Sequence, residues 1–589
     1  MKSNLGHTEA AAGIAGLIKA ILVAQKGIAP PQAGFETLNP EIAALDLPIT
    51  IPKAPTELAG VDGRRIVGVS AFGFSGTNAH VFVEAHSAFD ERTATDVASV
   101  FAVSARSETG LEGAVERWSA YLAATDENPR AVALTSTAGR KHWTHRVAVA
   151  AVSAVEAAKA LADAPRHEAK AAPRVAFLFT GQGSQYCGMC KRLYETEPLF
   201  RQALARMAAV LDEELGIDSL SLMFGAEPFD RTDYAQPLLV ATELALASVW
   251  RELGVEPVAA MGHSVGEFAA AAVAGAMSEI DALRLAVARG RAMQALPSGG
   301  GMMAVFSDAE GIAPFMERAG GVLAIAAVNG PSSLVIAGET AALDRLRELL
   351  EADGQDCRPL AVSHAFHSPL IDPALSALRE AAERIGTGRA VIPLISNVTG
   401  AMLSQIDADY WVEHARRPVR FADGVRALEA MKIDVFLEIG PDAVLTSLAG
   451  MTSPGITRVP SLRRGRADDR VLAEAIAALH CAGADLAWRK TGGGHLPPVR
   501  APLVQFERSR HWLETPDGAA RPRPARPERL RSEPEDEKGS PLVYDFYDEL
   551  TVISQNYADT VGDATHEEGH LTFGLLPRNE TGFSWVRAL

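Results

Sequence analysis

Residues 257–267 read PVAAMGHSVGE, and this stretch decides the fold of the central part of the chain. An apolar run that predicts a buried strand ends at Met261, and the composition of Val265–Val273 predicts a helix. The pattern G-x-S-x-G between them predicts a tight turn, because its glycines relieve crowding and its serine hydroxyl projects from the sheet. Ser264 would then lie at a helix N-terminus, where backbone N–H groups can stabilise an oxyanion. The stretch therefore predicts an α/β fold with Ser264 as a nucleophile.

A serine hydroxyl is a weak nucleophile until a nearby base takes its proton, so a histidine must lie close to Ser264 in space. His364 and His367 both follow the last strand of a predicted insert, and the residues alone do not choose between them. His263 is next to Ser264 in sequence, so its side chain should point away and pack. An acidic third member is not evident, which leaves a dyad oriented by a backbone carbonyl and a triad equally open.

Short apolar runs bounded by turn residues or a helix predict the strands of a parallel sheet around this turn. These runs are Arg174–Thr180, Pro257–Met261, Val391–Ser396 and Ile433–Ile439. Between Met302 and Val362 the order changes to β-α-β-β-α-β, which predicts a ferredoxin-like subdomain. Its predicted elements are strands at Met302–Phe306, Val322–Val328, Leu334–Ala337 and Cys357–Val362, and helices at Asp308–Arg318 and Ala341–Leu350. A sheet domain that carries a small subdomain leaves a cleft suited to a ligand.

Two further features could serve this cleft. Arg289 could hold a substrate carboxylate through two hydrogen bonds, although its spacing from Ser264 fits a surface arginine equally well. The loop GQGSQ at 181–185 could supply N–H groups to an oxyanion, or it could be an ordinary turn between strand and helix.

The run LGIDSL at 215–220 looks like a phosphopantetheine attachment motif, but it lies inside the sheet domain, so Ser219 is predicted to be structural.

Length and charge limit the classes of function. The chain has 589 residues, more than one hydrophobic core holds, so several domains are expected. A formal net charge of −17 argues against nucleic-acid binding and favours small anionic substrates or carrier proteins as partners.

Without a bilayer-spanning run or a secretion signal, a cytoplasmic protein with no membrane contact is expected. The four cysteines are too scattered for a disulfide framework, and the pair Cys187 and Cys190 is assigned no chemistry.

Five motifs stand in order along the central domain. They are GQGSQ at 181–185, YAQP at 234–237, GHSVGE at 262–267, ARGRAMQ at 288–294 and HAFHSP at 364–369. In this order they resemble the acyltransferase domain of modular polyketide synthases, over about residues 174–462. The resemblance implies a hydrolase-like α/β core with a ferredoxin-like subdomain, in agreement with the element order above.

The resemblance also implies a role for each site residue. Ser264 would be the nucleophile, His367 the general base and Arg289 the clamp on the extender carboxylate. The other substrate-binding residues would form the oxyanion hole and the pocket wall: Gln182, Val265, Gln236 and Phe366. The implied reaction is transfer of malonyl from malonyl-CoA to the phosphopantetheine thiol of an acyl carrier protein, with no bound cofactor and no metal ion.

The choice of extender unit is also implied. RTDYAQ at 231–236 and HAFH at 364–367 resemble the malonyl-type signatures of this family, whereas methylmalonyl-type domains resemble YASH at the second place. Phe366 is bulkier than serine and would crowd an α-methyl branch beside the nucleophile. Cys190 departs from the family pattern, since a glycine is common at that place.

The flanking sequence resembles other parts of the same assembly line. KSNLGH at 2–7 and AFGFSGTNAH at 71–80 resemble the C-terminal end of a thiolase-like ketosynthase, in which Lys2 and His7 match catalytic positions. The active-site cysteine and the first histidine of a ketosynthase would lie before Met1, so this remnant is predicted to be inactive. Both ends look truncated, as in a piece of a larger synthase whose remaining domains are its partners.

The resemblance divides the chain into six segments, and the disordered linker among them is predicted from a run of Pro, Arg, Glu and Asp with almost nothing to bury. They are a ketosynthase remnant at 1–86, an α/β linker domain at 87–172, the acyltransferase at 173–462 with its small subdomain at about 301–364, a post-acyltransferase linker at 463–514, a disordered linker at 515–540, and the start of another domain at 541–589 with weak methyltransferase resemblance. The end of the fourth segment, 502–514, is expected to pack on the linker domain.

Two other functions stay open. A serine thioesterase or esterase shares the G-x-S-x-G pattern, but it would need an acid in a triad and would not depend on Arg289. The other is a catalytically silent structural segment of a larger synthase, either misfolded or serving only for docking. A cooperative melt of the acyltransferase region together with labelling of Ser264 would count against it.

Overall fold

The computed structural model describes residues 1–43, 50–58, 60, 64–73, 76–85, 96–362, 364–386, 388–403, 405–491 and 496–504. These residues form two compact units, one within Met1–Asp90 and one within Glu91–Arg510. The linker predicted at 515–540 and the segment at 541–589 lie outside the described residues. In the part of the chain that is described, no helix is long and apolar enough to cross a membrane.

The first unit pairs a helix with a β-hairpin. Its elements are α1 (Lys2–Leu5), a 3-10 helix at Glu9–Ala11, α2 (Ala12–Lys26), β1 (Ile28–Ala29), α3 (Pro40–Ala43), β2 (Thr56–Glu57), β3 (Ile66–Phe72) and β4 (Asn78–Glu84). β3 and β4 pair antiparallel, and so do β1 and β2. α2 packs closely on β3, because a Cβ on Gly16 would lie 3.2 Å from Cγ1 of Val69. Lys2 and His7, the predicted ketosynthase positions, are exposed at the N-terminal end of this unit.

The second unit begins with an antiparallel sheet covered by helices. Its elements are β5 (Ser99–Ala105), α4 (Glu108–Ala124), α5 (Pro129–Thr137), β6 (His145–Ala151), α6 (Ala154–Asp163) and β7 (His167–Glu168), and the strands pair in the order β5-β6-β7. The later residues 499–503 return to it. Val499 N donates to Thr135 Oγ1 across 2.9 Å, and Arg140 Nη2 donates to the carbonyl oxygen of Pro502 across 3.2 Å. This contact agrees with the expectation for 502–514, of which residues 502–504 are described.

Next come the first elements of the large α/β domain. They are β8 (Val175–Phe179), α7 (Lys191–Thr196), α8 (Pro198–Leu215), α9 (Ser219–Phe224), α10 (Thr232–Glu252), β9 (Ala259–Gly262), α11 (Gly266–Val273) and α12 (Glu279–Gln294). Every residue of β8 is buried, as expected of a strand whose two faces are both covered. Ser219 is buried at the start of α9, whose N-cap is Asp218.

The small subdomain has the predicted ferredoxin-like order. Its elements are β10 (Gly300–Val305), α13 (Ala309–Ala319), β11 (Leu323–Gly330), β12 (Ser333–Glu339), α14 (Thr340–Ala352) and β13 (Cys357–Pro359). The strands form an antiparallel sheet in the order β11-β12-β10-β13. β13 is shorter than the predicted strand at Cys357–Val362, because only its first three residues pair with β10.

The chain then completes the large sheet. The remaining elements are 3-10 helices at Pro369–Ala374 and Trp488–Lys490, helices α15 (Leu375–Glu383), α16 (Ala408–Arg416), α17 (Phe421–Ala430), α18 (Leu445–Thr452) and α19 (Asp468–Ala482), and strands β14 (Leu394–Ile395), β15 (Val435–Ile439) and β16 (Thr457–Pro460). The sheet is parallel, in the order β14-β9-β8-β15-β16. The predicted α/β core is therefore confirmed, and the carboxyl ends of β8, β9 and β14 meet at one edge, where parallel sheets bind ligands.

Candidate active site

Ser264 lies on the turn between β9 and α11, as the sequence predicts. Its φ of 52° falls in the left-handed region, which residues other than glycine rarely adopt. The flanking glycines let the chain turn this tightly. A Cβ on Gly262 would lie 2.1 Å from the N of Glu267, and one on Gly266 would lie 2.3 Å from the carbonyl oxygen of Thr180. A side chain at either glycine would therefore force strand and helix apart and move the hydroxyl.

The structure brings His367 to Ser264 and places His364 elsewhere. His367 Nε2 lies 2.8 Å from Ser264 Oγ, and His367 Nδ1 lies 2.8 Å from the carbonyl oxygen of Arg417. Because a carbonyl oxygen only accepts, Nδ1 carries the proton, and the Ser264 hydroxyl donates to Nε2. His364 Nε2 lies 3.2 Å from the carbonyl oxygen of Leu296. The arrangement is a dyad oriented by a backbone carbonyl, which is one of the two arrangements, dyad or triad, that the sequence left open.

The surroundings of His367 keep its imidazole neutral. The residue is 3% exposed. Burial, followed by the positive charge of Arg289, lowers the pKa of His367 to about 3, while the hydrogen bond to Arg417 acts in the opposite direction. Near neutral pH, the Nε2 lone pair is therefore free to accept the proton of Ser264.

Arg289, on α12, places a buried positive charge beside the serine. It is 1% exposed, and its Nη2 donates to Ser264 Oγ across 3.0 Å. Its Nε and Nη1 have no hydrogen-bond partner among the described residues. Burial lowers the pKa of Arg289 to about 10, so the guanidinium keeps its charge at neutral pH. Because a buried charge is costly unless it is paired, these two nitrogens are available to an anionic group next to Ser264.

The loop that follows β8 passes directly against the serine turn. A Cβ on Gly181 would lie 2.8 Å from the carbonyl oxygen of His263. Gln236 Nε2, on α10, donates to Gln182 Oε1 across 3.0 Å and ties this loop to the helix. Within the described part of the chain, neither the N–H of Gln182 nor that of Val265 donates to a protein acceptor. Both N–H groups are therefore available to a substrate oxygen.

The neighbours of the dyad in sequence take different positions. His263 is turned away from the serine hydroxyl, because its Nε2 lies 2.9 Å from Asn329 Oδ1 and its ring packs on Phe421. Phe366 is 6% exposed and packs in the main core of the sheet domain. Thus the structure joins Ser264, His367 and Arg289 by hydrogen bonds, and it links Gln182 to Gln236 beside them.

Two side chains that the sequence analysis did not single out also hold the site together. Asn397 Oδ1 accepts the N–H of Ser264 across 2.7 Å. Glu267 Oε2 accepts the N–H of Asn397 across 2.8 Å, and its Oε1 accepts the hydroxyl of Tyr410. Signals for both were present in the sequence. Glu267 ends the GHSVGE motif, and Asn397 follows a predicted strand whose carboxyl end should meet that of β9.

Glu267 should make the stability of this domain depend on pH. Burial raises its pKa to about 8, although the bonds from Tyr410 and Asn397 act in the opposite direction. A carboxyl whose pKa is raised by folding stabilises the fold most below its unfolded pKa, and this contribution is lost as pH rises toward the folded value. Between pH 5 and pH 8, Glu267 should therefore lower the free energy of unfolding by up to about 1.4 kcal/mol per pH unit. Glu267→Gln should remove this part of the slope.

Thermal melts of wild type and Glu267→Gln at several pH values between 5 and 8 test this expectation. The melting temperature of the variant should rise relative to that of wild type as pH increases. Glu317→Gln, at an exposed position, is the control and should follow wild type throughout. Parallel curves for wild type and Glu267→Gln would show that Glu267 is ionised at all these pH values.

Comparison with known proteins agrees with this geometry. The acyl transferase domain family matches residues 176–486, more than half of the chain. Before it, the C-terminal domain of β-ketoacyl synthases matches residues 1–36, and the ketoacyl-synthetase C-terminal extension matches residues 39–149. These matches confirm the resemblance to a ketosynthase end followed by an acyltransferase.

Individual relatives point to the same family. Mycoketide-CoA synthase from Mycobacterium tuberculosis is 39% identical over 541 residues, which are 88% of this chain and 13% of that protein. The chain thus spans a small part of the length of this relative. The solved acyltransferase domain from the second module of the salinomycin polyketide synthase is 39% identical, with a TM-score of 0.56, over 66% of this chain and 94% of that one. The acyltransferase domain of SpnD, solved with 2-(pent-4-yn-1-yl)malonyl, is 36% identical, with a TM-score of 0.60, over 66% of this chain and 96% of that one. The chain therefore belongs to the acyl transferase domain family, as an acyltransferase of the polyketide synthase type that follows the C-terminal part of a ketosynthase.

Proposed function

We propose that this domain transfers a malonyl group from malonyl-CoA, through an ester on Ser264, to the phosphopantetheine thiol of an acyl carrier protein. The observation that carries the proposal is the buried guanidinium of Arg289. It lies 3.0 Å from Ser264 Oγ, and two of its nitrogens have no partner among the described residues. The free carboxylate of a malonyl thioester would supply the missing anion next to the serine that attacks the thioester. The malonyl-type ligand bound by the SpnD relative supports this substrate class.

The dyad accounts for both half-reactions. In the first, Ser264 Oγ attacks the thioester carbon while His367 Nε2 takes the hydroxyl proton. The C–S bond then breaks, the sulfur of CoA takes that proton from His367, and the malonyl ester of Ser264 remains. In the second, the carrier thiol gives its proton to His367 and attacks the ester. Ser264 then leaves and takes this proton back.

The N–H groups of Gln182 and Val265 would bind the oxyanion of each tetrahedral intermediate. Val265 precedes the first residue of α11, so the helix N-terminus adds a favourable dipole. Gln236, which is 1% exposed, would act on Gln182 by holding the side chain of that residue.

Phe366 would select malonyl over methylmalonyl. It directly precedes the base, and its ring is buried in the core of the sheet domain. Phe366→Ser should open space for an α-methyl group and raise the ratio of methylmalonyl to malonyl loading about tenfold, the scale of discrimination that one extra carbon gives in an apolar pocket. Competition between the two CoA thioesters, read by intact mass of the acylated protein, measures the ratio. Phe366→Met keeps the volume and should keep the malonyl preference, and an unchanged ratio in Phe366→Ser would exclude Phe366 from this choice.

A serine thioesterase or esterase is the alternative enzyme. The backbone carbonyl that orients His367 favours the transferase, because the rival predicts an acidic side chain at that place. Arg289 also favours the transferase, since it would orient the carboxylate and keep water from a productive approach to the ester. Rapid release of free malonate from malonyl-CoA, without a carrier protein, would support the hydrolase.

Intact-protein mass spectrometry after brief incubation with malonyl-CoA tests the proposed function. Wild type should gain one malonyl group, and Ser264→Ala should gain none. Parallel samples with methylmalonyl-CoA and acetyl-CoA report the extender choice. Folded wild-type protein that forms no adduct with any of the three thioesters would contradict the proposal and favour a silent structural segment.

A further inference from the structure

Asn397 spans the serine turn with its carboxamide. The residue follows β14 and is 1% exposed. Its Oδ1 accepts the N–H of Ser264 across 2.7 Å, and its Nδ2 donates to the carbonyl oxygen of Gly262 across 2.7 Å. The two ends of one planar amide therefore bind the chain on either side of His263, and they fix the width of the turn on which the hydroxyl is carried.

The backbone of Asn397 binds two further parts of the site. Its N–H donates to Glu267 Oε2 across 2.8 Å, on the first turn of α11. Its carbonyl oxygen accepts the N–H of Arg420 across 2.8 Å. Arg420 is three residues beyond Arg417, whose carbonyl oxygen orients His367. Asn397 thus contacts the turn that carries Ser264 and also the segment that orients the base.

The segment that orients the base has a second attachment, to the small subdomain. Val419 N donates to the carbonyl oxygen of Ala326, and Val328 N donates to that of Val419, so residue 419 lies beside β11. The bonds of Val419 fix the position of this segment relative to the small subdomain, and the bond from Arg420 to Asn397 fixes its position relative to the serine turn. The distance between Ser264 Oγ and His367 Nε2 depends on both.

The serine turn needs such support because of its backbone conformation. Ser264 has a φ of 52°, and its N–H donates to Asn397 Oδ1. A residue in this region persists only where its surroundings hold it, and a buried N–H needs an acceptor. Asn397 supplies that acceptor, and its Nδ2 also binds the buried carbonyl oxygen of Gly262 at the end of β9.

We propose that Asn397 is a positioning residue that holds the Ser264 turn and the Arg417–Arg420 segment in register, so that the serine proton can pass to His367. This proposal rests on the proposed function for the roles of Ser264 and His367. It assigns Asn397 no contact with substrate. Its loss should therefore reduce the reactivity of Ser264 and leave the affinity for the carboxylate of the substrate, set by Arg289, almost unchanged.

Asn397→Ala removes both side-chain bonds. We expect kcat for malonyl transfer to fall about 100-fold, the scale of effect for a misplacement of roughly 1 Å, with KM within about threefold of wild type. Ser461→Ala is the matched control, because Ser461 is equally buried and its Oγ bonds to Trp250 Nε1 and to the carbonyl oxygen of Glu438, not to the serine turn. It should retain kcat within about threefold, and melting curves establish that both variants are folded.

Asn397→Asp gives a readout that a merely structural role would not produce. A protonated aspartic acid can accept from Ser264 N–H and donate to the Gly262 carbonyl, as the amide does, whereas the ionised form cannot donate. Burial favours the protonated form. The activity of Asn397→Asp should therefore be highest at low pH and fall as pH rises, while wild type should not show this decline. A flat profile for Asn397→Asp, parallel to wild type, would overturn the proposal.

Labelling with phenylmethylsulfonyl fluoride separates this proposal from the proposed function. The reagent sulfonylates an activated serine without using the carboxylate site. Wild type should label at Ser264, and Asn397→Ala should label about 100-fold more slowly. Fast labelling of wild type with no malonyl transfer would refute the proposed function alone. Equal labelling rates for wild type and Asn397→Ala would refute the positioning role, whatever acyl group the enzyme transfers.

Discussion

His367→Ala is expected to slow the acylation of Ser264 by malonyl-CoA about 10³-fold, within the range of 10²–10⁴ that general base catalysis contributes. Among the described residues, the imidazole and the guanidinium of Arg289 are the groups that hydrogen-bond to Ser264 Oγ, and the guanidinium cannot accept a proton. Without His367, the serine must lose its proton to water. Quenched-flow incubation followed by intact mass gives the acylation rate directly.

His364→Ala is the matched control for this experiment. It changes a histidine three residues away whose Nε2 contacts Leu296, and it should leave the acylation rate within about threefold of wild type. If both variants lost activity equally, the choice of His367 as the base would be wrong. A rate for His367→Ala within tenfold of wild type would point to a different base.

Arg289→Ala is expected to lower malonyl loading by at least about 10²-fold and to leave acetyl loading unchanged or raised. Each charge-assisted hydrogen bond to the carboxylate contributes roughly 1.5–3 kcal/mol, and two of them are lost with the guanidinium. Acetyl has no carboxylate, so it makes no use of these bonds, and removing an unpaired buried charge lets the pocket accept it more easily. Initial rates of adduct formation with malonyl-CoA and acetyl-CoA measure the change in preference.

Arg291→Ala provides the control on the same helix. Arg291 is exposed and donates to the carbonyl oxygen of Glu214, away from the serine. It should leave both loading rates near those of wild type. Equal losses of malonyl and acetyl loading in Arg289→Ala would mean that Arg289 supports the fold of the site and does not select the acid substrate.

Local sequence patterns predicted the parts of this structure that depend on local interactions. The Ser264 turn needed a buried strand, two glycines and a helix in succession, and all three are visible in residues 257–273. The small subdomain was predicted because its strands and helices each have their own periodicity. β16 was not predicted, since Thr457 and Arg458 are exposed and the strand has no apolar run.

The parts that the sequence left open depend on contacts between distant residues. His364 and His367 differ in which carbonyl or hydroxyl each one reaches, and that depends on how the chain packs after β13. The group that orients His367 is a backbone carbonyl, which every residue has, so no residue type marks Arg417. Asn397 has a polar side chain at the end of a predicted strand, but its partner Ser264 is 133 residues earlier.

The strands that begin and end the small subdomain lie side by side. Met303 pairs with Pro359, and a Cβ on Gly300 would lie 2.9 Å from the N of Ala365, two residues before His367. The chain therefore leaves the large domain and returns to it at nearly the same place. The loop that must close to bring His367 to Ser264 is therefore much shorter than their separation of 103 residues, and its entropy cost is correspondingly smaller. A change in the length of α13 or α14 would leave this loop short, whereas β11 must keep its place because it also holds the segment that orients His367, through Val419.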